Sequence, residues 1–444
     1  MNIIYIHTHD SGRYLAPYGH NIPTPNLMEL AKQSTLFRHC YCAGPTCSPS
    51  RAALLTGTLP HVNGMLGLAH RGFQMNDYNM HLSSYLKNNG YETVLCGHQH
   101  EAPDTSMLGY DKVININAPE KSHFERDVMY ANAAADYIKQ SAQNNNGKNF
   151  FLSFGMFCTH REFPRYGEIE NDIKQEYIQP PHVMYDAQTN REDMAGYHAL
   201  AKTADKCAGI VMDALTASPD IEDNTIVIFT TDHGMAFPRM KCNLYDTGIG
   251  VAFMIKYPGN PTKGTANDFL ISQIDVFPTL CELCGIKKPD WVTGKSFKSI
   301  LDGGTDEIND EIFVEVTYHA AYEPMRCIRT QRYKLIRRYD WHNGYVPSNT
   351  DDGNSKRFMM SAGIMSRPIA REMLFDLYLD PLERENLVND GAYTDIYSDL
   401  SARLADCMER TKDPLTAVNH RVPKPDGAVA NKLTCLQPGN DDWE

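Results

Sequence analysis

The chain has 444 residues, 42% of them hydrophobic and 10% aromatic, with a formal charge of -13. That is enough apolar mass for a large core in one domain or two, and it excludes a low-complexity or disordered chain. With Lys and Arg scattered along an acidic chain, non-specific nucleic-acid and membrane-surface binding are excluded, and an anionic ligand would need a local cluster of positive groups.

In chain order, the first apolar run, Met1 to Ile6, reaches polar His7 to Asp10 too soon for a signal-peptide core or a membrane span, which sets the expectation of a cytoplasmic protein. Strands are expected at Asn2 to Ile6, Thr93 to Cys96, Phe150 to Phe154 and Thr225 to Thr230, where apolar and β-branched residues concentrate. Thr24-Pro25 reads as a cap followed by proline in the first helical position, with Leu27, Leu30 and Ala31 on the apolar face. A longer amphipathic helix is expected from Glu192 to Leu215. This alternation predicts an α/β fold, a mainly parallel sheet sandwiched by helices.

After Asp302-Gly303-Gly304 the texture changes to antiparallel strands at Ile312 to Val316, Arg326 to Arg329 and Tyr333 to Arg337, then a helix from Tyr397 to Glu409. The predicted organisation is a larger α/β domain over 1–304 and a smaller α+β domain with an antiparallel sheet over 305–444. The twelve cysteines lie mostly in apolar runs and read as reduced, buried thiols. Cys281 and Cys284 form a lone CxxC inside a predicted helix, with no second pair at zinc spacing.

In an open α/β sheet, ligands bind beyond the carboxyl ends of the strands. Each predicted main strand ends there in capable residues: His9-Asp10, then His98 and His100, then His160, then Asp232-His233. One such histidine is usually structural, but four strand ends agreeing argues for a site. His9, Asp10, Asp232 and His233 can form a divalent metal site of oxygens and imidazoles; alternatively, Asp10 caps a turn and Asp232 caps a helix.

The sharpest signal is Cys47-Ser48-Pro49-Ser50-Arg51 followed by Ala-Ala-Leu-Leu-Thr-Gly. Pro49 suits a first helical turn, so Cys47 sits at a helix N-terminus that favours an anion, and Arg51 one turn on can fork onto a tetrahedral oxyanion. Local physics leaves two readings: an anion-binding helix start with a low-pKa nucleophilic thiol, or a cap whose Arg meets a surface carboxylate.

The Cys47 to Arg51 motif with its Leu-Thr-Gly tail resembles the signature of type I sulfatases, members of the alkaline phosphatase superfamily in which this cysteine is oxidised to formylglycine. Asn2 to Asp10, Thr24 to Leu27, Gly97 to His100, Thr231 to Gly234 and Leu374 to Leu387 fall in that family's order, so the resemblance spans nearly the whole chain. Phe237-Pro238 with Asn243-Leu244-Tyr245, Pro324-Met325-Arg326, and Asn63-Gly64-Met65 with Gly67-Leu68 resemble the sulfamidase (heparan N-sulfatase-like) branch.

The resemblance implies an alkaline phosphatase-like fold and hydrolysis of a small sulfated substrate, such as N- or O-sulfated glucosamine, by hydrated formylglycine at position 47. It implies one divalent metal ion on His9, Asp10, Asp232, His233 and residue 47, with Arg51 and Lys241 holding developing charge, His100 assisting the diol and His160 protonating the leaving group. His98, His319, Arg326 and the loop from Tyr345 to Arg357 are the expected substrate contacts. A separate maturation enzyme would be a partner, and a homo-oligomer stays open.

Three positions depart from the family pattern: His9 stands for the first aspartate, His233 for asparagine and His98 for lysine. The first two move the expected metal from calcium toward manganese or zinc, and a protonated His98 would partly restore the lost charge. The rival expectations are a formylglycine-dependent phosphonate or phosphate ester hydrolase of the same fold, and a non-catalytic sulfated-glycan-binding protein.

Overall fold

The computed structural model describes residues 1–144, 147–164, 174–417, 421–440 and 442–444. In chain order the strands are β1 Asn2–Thr8, β2 Thr35–Phe37, β3 Cys40–Tyr41, β4 Glu92–Gly97, β5 Lys112–Ile114, β6 Phe150–Gly155, β7 Thr225–Thr231, β8 Phe253–Lys256, β9 Thr265–Asn267, β10 Ile271–Ser272, β11 Ile312–Tyr318, β12 Tyr322–Arg329, β13 Tyr333–Arg338 and β14 Glu372–Asp376. Eight form one sheet in the order β5-β4-β6-β1-β7-β8-β2-β9. The five from β5 to β7 are mutually parallel, β8 runs antiparallel to both β7 and β2, and β9 is parallel to β2.

Burial on both faces explains why the central strands read as continuous apolar runs. Along β1, Ile4 and Ile6 join one apolar cluster while Ile3 and Tyr5 join the other, as the two-residue side-chain period requires. The helices Pro25–Lys32, His123–Asn144 and Gln188–Thr216 cover the first face. Cys47–Thr56, Leu82–Asn88 and Val276–Leu283 cover the second. Thr24 stands at the N-cap of Pro25–Lys32, but its side chain gives that helix no cap bond and instead accepts from the Ala16 amide. The carboxylate of Asp205 takes over, accepting from the amides of Asn26 and Leu27 at 3.2 and 2.8 Å.

The register aligns the carboxyl ends of the parallel strands, since His7 pairs with both Gly155 and Thr230, and Gly155 also pairs with Gly97. Gly155 permits this closeness: an added Cβ would collide with the His98 carbonyl oxygen and the His7 ring.

β11 to β14 form a separate antiparallel sheet in sequential order. It begins after the 302–304 turn, yet it has no core of its own. Ile312, Val314 and Met325 pack in the cluster that holds Ile3 and Leu54, and Phe313, Ile328 and Leu335 pack in the one that holds Ala52, Ala53 and Leu59. All twelve cysteines are free thiols, buried except for half-buried Cys284. No helix among the described residues is long and apolar enough to cross a membrane.

Candidate active site

The loops leaving β1 and β7 and the first turn of Cys47–Thr56 meet at the carboxyl edge of the sheet. Asp10 turns the chain after β1 with φ of 52°. Its amide and that of His233 both donate to Asp232 Oδ1, at 2.8 and 2.9 Å. This fixes the Asp232 carboxylate and leaves Oδ2, buried and without a hydrogen-bond partner, facing the cluster. The helix is latched to the same strand end: Ser50 Oγ donates to the Asp232 carbonyl oxygen at 2.5 Å, and Gln273 Nε2 donates to that of Thr231 at 2.7 Å.

Around Asp232 Oδ2 the distances are 3.2 Å to His9 Nδ1, 3.0 Å to Arg51 Nη2 and 3.8 Å to His233 Nε2. His233 Nε2 also lies 3.3 Å from Asp10 Oδ1 and 3.4 Å from Cys47 Sγ. His233 Nδ1 is 2.9 Å from the Gly234 carbonyl oxygen, which accepts its proton and leaves Nε2 as a lone pair directed at this centre. Lys241 Nζ stands 3.0 Å from Asp10 Oδ2 and 3.0 Å from Asp351 Oδ2.

The charges are strongly perturbed. Burial alone would raise the Asp232 carboxyl, but His233, His9 and Arg51 hold it below its ordinary range. Burial likewise works against the Asp10 carboxylate and is overcome by Lys241, His9 and His233. The Lys241 ammonium, which burial disfavours, is held well above its usual value by Asp10 and Asp351.

Cys47 overturns one sequence expectation. Burial, assisted by Asp10, Asp232 and Asp351 and only partly offset by Lys241, pushes its thiol well above the ordinary value. The helix N-terminus therefore does not yield a low-pKa thiolate, because desolvation and three carboxylates outweigh its dipole. Arg51 does meet a carboxylate, but a buried one: besides Asp232 it contacts the Thr8 carbonyl oxygen at 3.0 Å and His7 Nδ1 at 2.5 Å.

His9, Asp10, Cys47 and Asp232 each offer a ligand atom within 4.8 Å of the others, and His233 Nε2 borders the same centre. Two buried carboxylates flanked by imidazole, with an Asp232 Oδ2 that is paired with Arg51 but accepts no hydrogen bond, suit a divalent cation, so these residues fit the metal that the sequence resemblance implies.

His98, His100 and His160 ring His9, with ring centroids 5.2, 5.9 and 4.8 Å away. Burial lowers His160 to about 3. Burial, with the adjoining histidines and Arg51, keeps His98 well below the ordinary imidazole value, so it does not carry the positive charge expected of it. His319 follows β11 and lies buried with Nδ1 unpartnered, lowered by burial and then by Lys241.

Arg326 is not brought to this cluster. Its guanidinium pairs with both oxygens of Asp413 at 2.5 and 3.0 Å and with Glu315 at 3.2 Å, while Nη1 donates to the Val316 and Met325 carbonyl oxygens. A fully buried arginine with these partners is a strut inside the second sheet. The sequence reading missed Asp351, which lies in the loop it expected over the pocket. It also missed His7, and His70, whose Nδ1 is 2.8 Å from His100 Nε2; neither carries a local motif.

A family model described as sulfatase matches residues 1–286, and one described as the C-terminal part of N-sulphoglucosamine sulphohydrolase matches 233–347. The chain is 25% identical to the Homo sapiens protein named N-sulphoglucosamine sulphohydrolase, over 98% of this chain and 93% of that one. Among solved structures, one titled as a 2-O GAG sulfatase superposes with a TM-score of 0.70 at 22% identity, covering 94% of this chain and 93% of the other. The phosphonate monoester hydrolase of Agrobacterium radiobacter superposes with a TM-score of 0.68 at 18% identity, covering 92% and 96%.

Proposed function

This chain belongs to the sulfatase family and is a hydrolase of sulfuric esters or sulfamates, and we propose that its substrate is a small sulfated saccharide, such as N- or O-sulfated glucosamine, attacked through a formylglycine made from Cys47. The observation that carries this reading is the convergence of Cys47 Sγ, Asp10, Asp232, His9 and His233 at the N-terminus of an uncapped helix. The human relative's name supports the sugar.

A formylglycine made at position 47 by a maturation enzyme would, once hydrated, offer a geminal diol as the nucleophile toward sulfur, with the sugar oxygen or nitrogen as the leaving group and the second hydroxyl available to re-form the aldehyde as sulfate departs. Asp10, Asp232, His233 and residue 47 would hold the divalent ion, which supplies Lewis-acid neutralisation of sulfate oxygens. Family resemblance favours calcium, and the imidazole of His233 favours manganese or zinc.

The remaining work falls to the chain itself. Arg51 holds the Asp232 carboxylate in place. Lys241, a fixed cation at the edge of the cluster, attracts the sulfate group and steadies charge that develops on it. We assign His160, bordering His9, to return a proton to the departing oxygen or nitrogen; burial holds its imidazole at about 3 in the free site, so the role requires the bound sulfate anion to raise it. A cavity of about 740 Å³ is lined by Arg161, Glu192, Asp193, Asp352, Asn354 and Arg357 among others, so it takes in the residues next in the chain to His160 and Asp351, and we assign it to the saccharide.

The test is ion-chromatographic sulfate release from N-sulfated and O-sulfated glucosamine, with protein co-expressed with a maturation enzyme, across calcium, manganese and zinc. Release that vanishes in Cys47→Ala supports the reading. No release, with formylglycine confirmed by mass spectrometry, rejects glucosamine sulfates; turnover of a matched phosphonate ester would then favour the phosphonate hydrolase, and tight glycan binding without turnover a binding protein.

A further inference from the structure

His9, His98 and His100 each place a ring nitrogen within 4.8 Å of the others, with no carboxylate in the group. His98 Nε2 and His100 Nδ1 are buried and have no hydrogen-bond partner. Leaving such atoms unsatisfied is costly, so their convergence asks for something between them.

On two of the three rings the outer nitrogen is already tied down. His9 Nδ1 lies 2.8 Å from Asp10 Oδ1, which can only accept, so the ring proton belongs on Nδ1 and Nε2 keeps a lone pair. His100 Nε2 lies 2.8 Å from His70 Nδ1, with the two rings nearly parallel and their centroids 5.1 Å apart, and in the tautomer that donates from Nε2 the lone pair is on Nδ1. A histidine oriented by a carboxylate or another acceptor on its far nitrogen is the usual arrangement of a metal ligand. The supporting loop is firm as well: Gln99 Oε1 accepts from the amides of Glu101 and Ala102, and Glu101 Oε2 accepts from that of His100.

We infer that His9, His98 and His100 form a second metal site, an all-imidazole pocket for a divalent transition-metal ion such as zinc, beside the carboxylate site of Asp10 and Asp232. Three neutral imidazoles suit zinc, cobalt or nickel and not calcium, which wants oxygens. His9 then links the sites, ligating the second ion through Nε2 while Asp10, which holds its Nδ1–H, serves the first. A dication here brings the sulfate pocket a positive charge that the three rings lack.

The inference uses only the geometry of the rings, and its test does not read sulfate release, so its failure is separate from failure of the sulfatase reading. Metal-free protein is loaded with zinc, freed of excess by gel filtration and counted by plasma mass spectrometry. Two zinc ions per wild-type chain are expected, falling to one in His98→Gln/His100→Gln with an unchanged circular dichroism spectrum. A crystal of the zinc-loaded wild-type protein should show a zinc-edge anomalous peak among the three rings, which needs no variant. No peak among the rings, or a zinc count that the double variant leaves at the wild-type value, would overturn the inference.

Discussion

Lys241 and Asp351 form a buried ion pair, 3.0 Å from Nζ to Oδ2, that ties the loop after β7 to the segment after β13. The same ammonium holds Asp10, and the Asp351 carboxyl is drawn down to about 2 against the effect of burial. Lys241→Met therefore leaves two buried carboxylates without their cation. The expected loss is about 3–5 kcal/mol of stability, measured by urea unfolding of the metal-free protein.

Arg51 grips Asp232, Thr8 and His7 with a planar fork that a lysine ammonium cannot reproduce. In Arg51→Lys, kcat for sulfate release should fall about 100-fold, the scale of a misplaced catalytic group, with KM little changed. A rise in KM at constant kcat would instead show that Arg51 binds the substrate itself.

Arg326 supports the second sheet through Asp413 and Glu315. Asp413→Ala should cost about 3–5 kcal/mol by leaving a buried guanidinium short of charge. Saturation kinetics on the folded fraction should show an unaltered KM, in contrast to the substrate contact that the sequence suggested for Arg326.

Two histidines away from the site give stability a pH dependence. Burial lowers His81 to about 3 and His198 to about 4, from an ordinary 6.5. The unfolded chain thus takes up protons first as pH falls, so their contribution is complete above about 6.5 and is lost toward the folded values. Each adds a slope of about 1.4 kcal/mol per pH unit inside its window. Urea midpoints at pH 5 and 7 should converge in His81→Asn; an unchanged difference would clear His81 of the effect.

The strand ends were legible because β1, β4, β6 and β7 are apolar runs that stop where polar residues begin, and parallel register brings those stops to one edge. Cys47 to Arg51 was legible because its spacing is itself the motif. What depended on distant partners was not. Asp205 caps the helix after Thr24 from 179 positions beyond Asn26, and Arg326 finds Asp413 across 87. Asp351 and His70 have no flanking pattern to single them out, since each acquires its role only from the side chain it meets. The thiol of Cys47 was misread for the same reason: a helix start is local, while the three carboxylates around it come from elsewhere in the chain.

The apolar clusters shared between β11 to β14 and the main sheet bear on how such a chain can change. Cutting at 304 would strip one side from both clusters and wet residues from Ile3 to Leu335 together, so the C-terminal part is no cassette to be traded between relatives. Variation in substrate preference has to arise in place, through segments such as 345–357, whose Asp352, Asn354 and Arg357 line the cavity without belonging to either core.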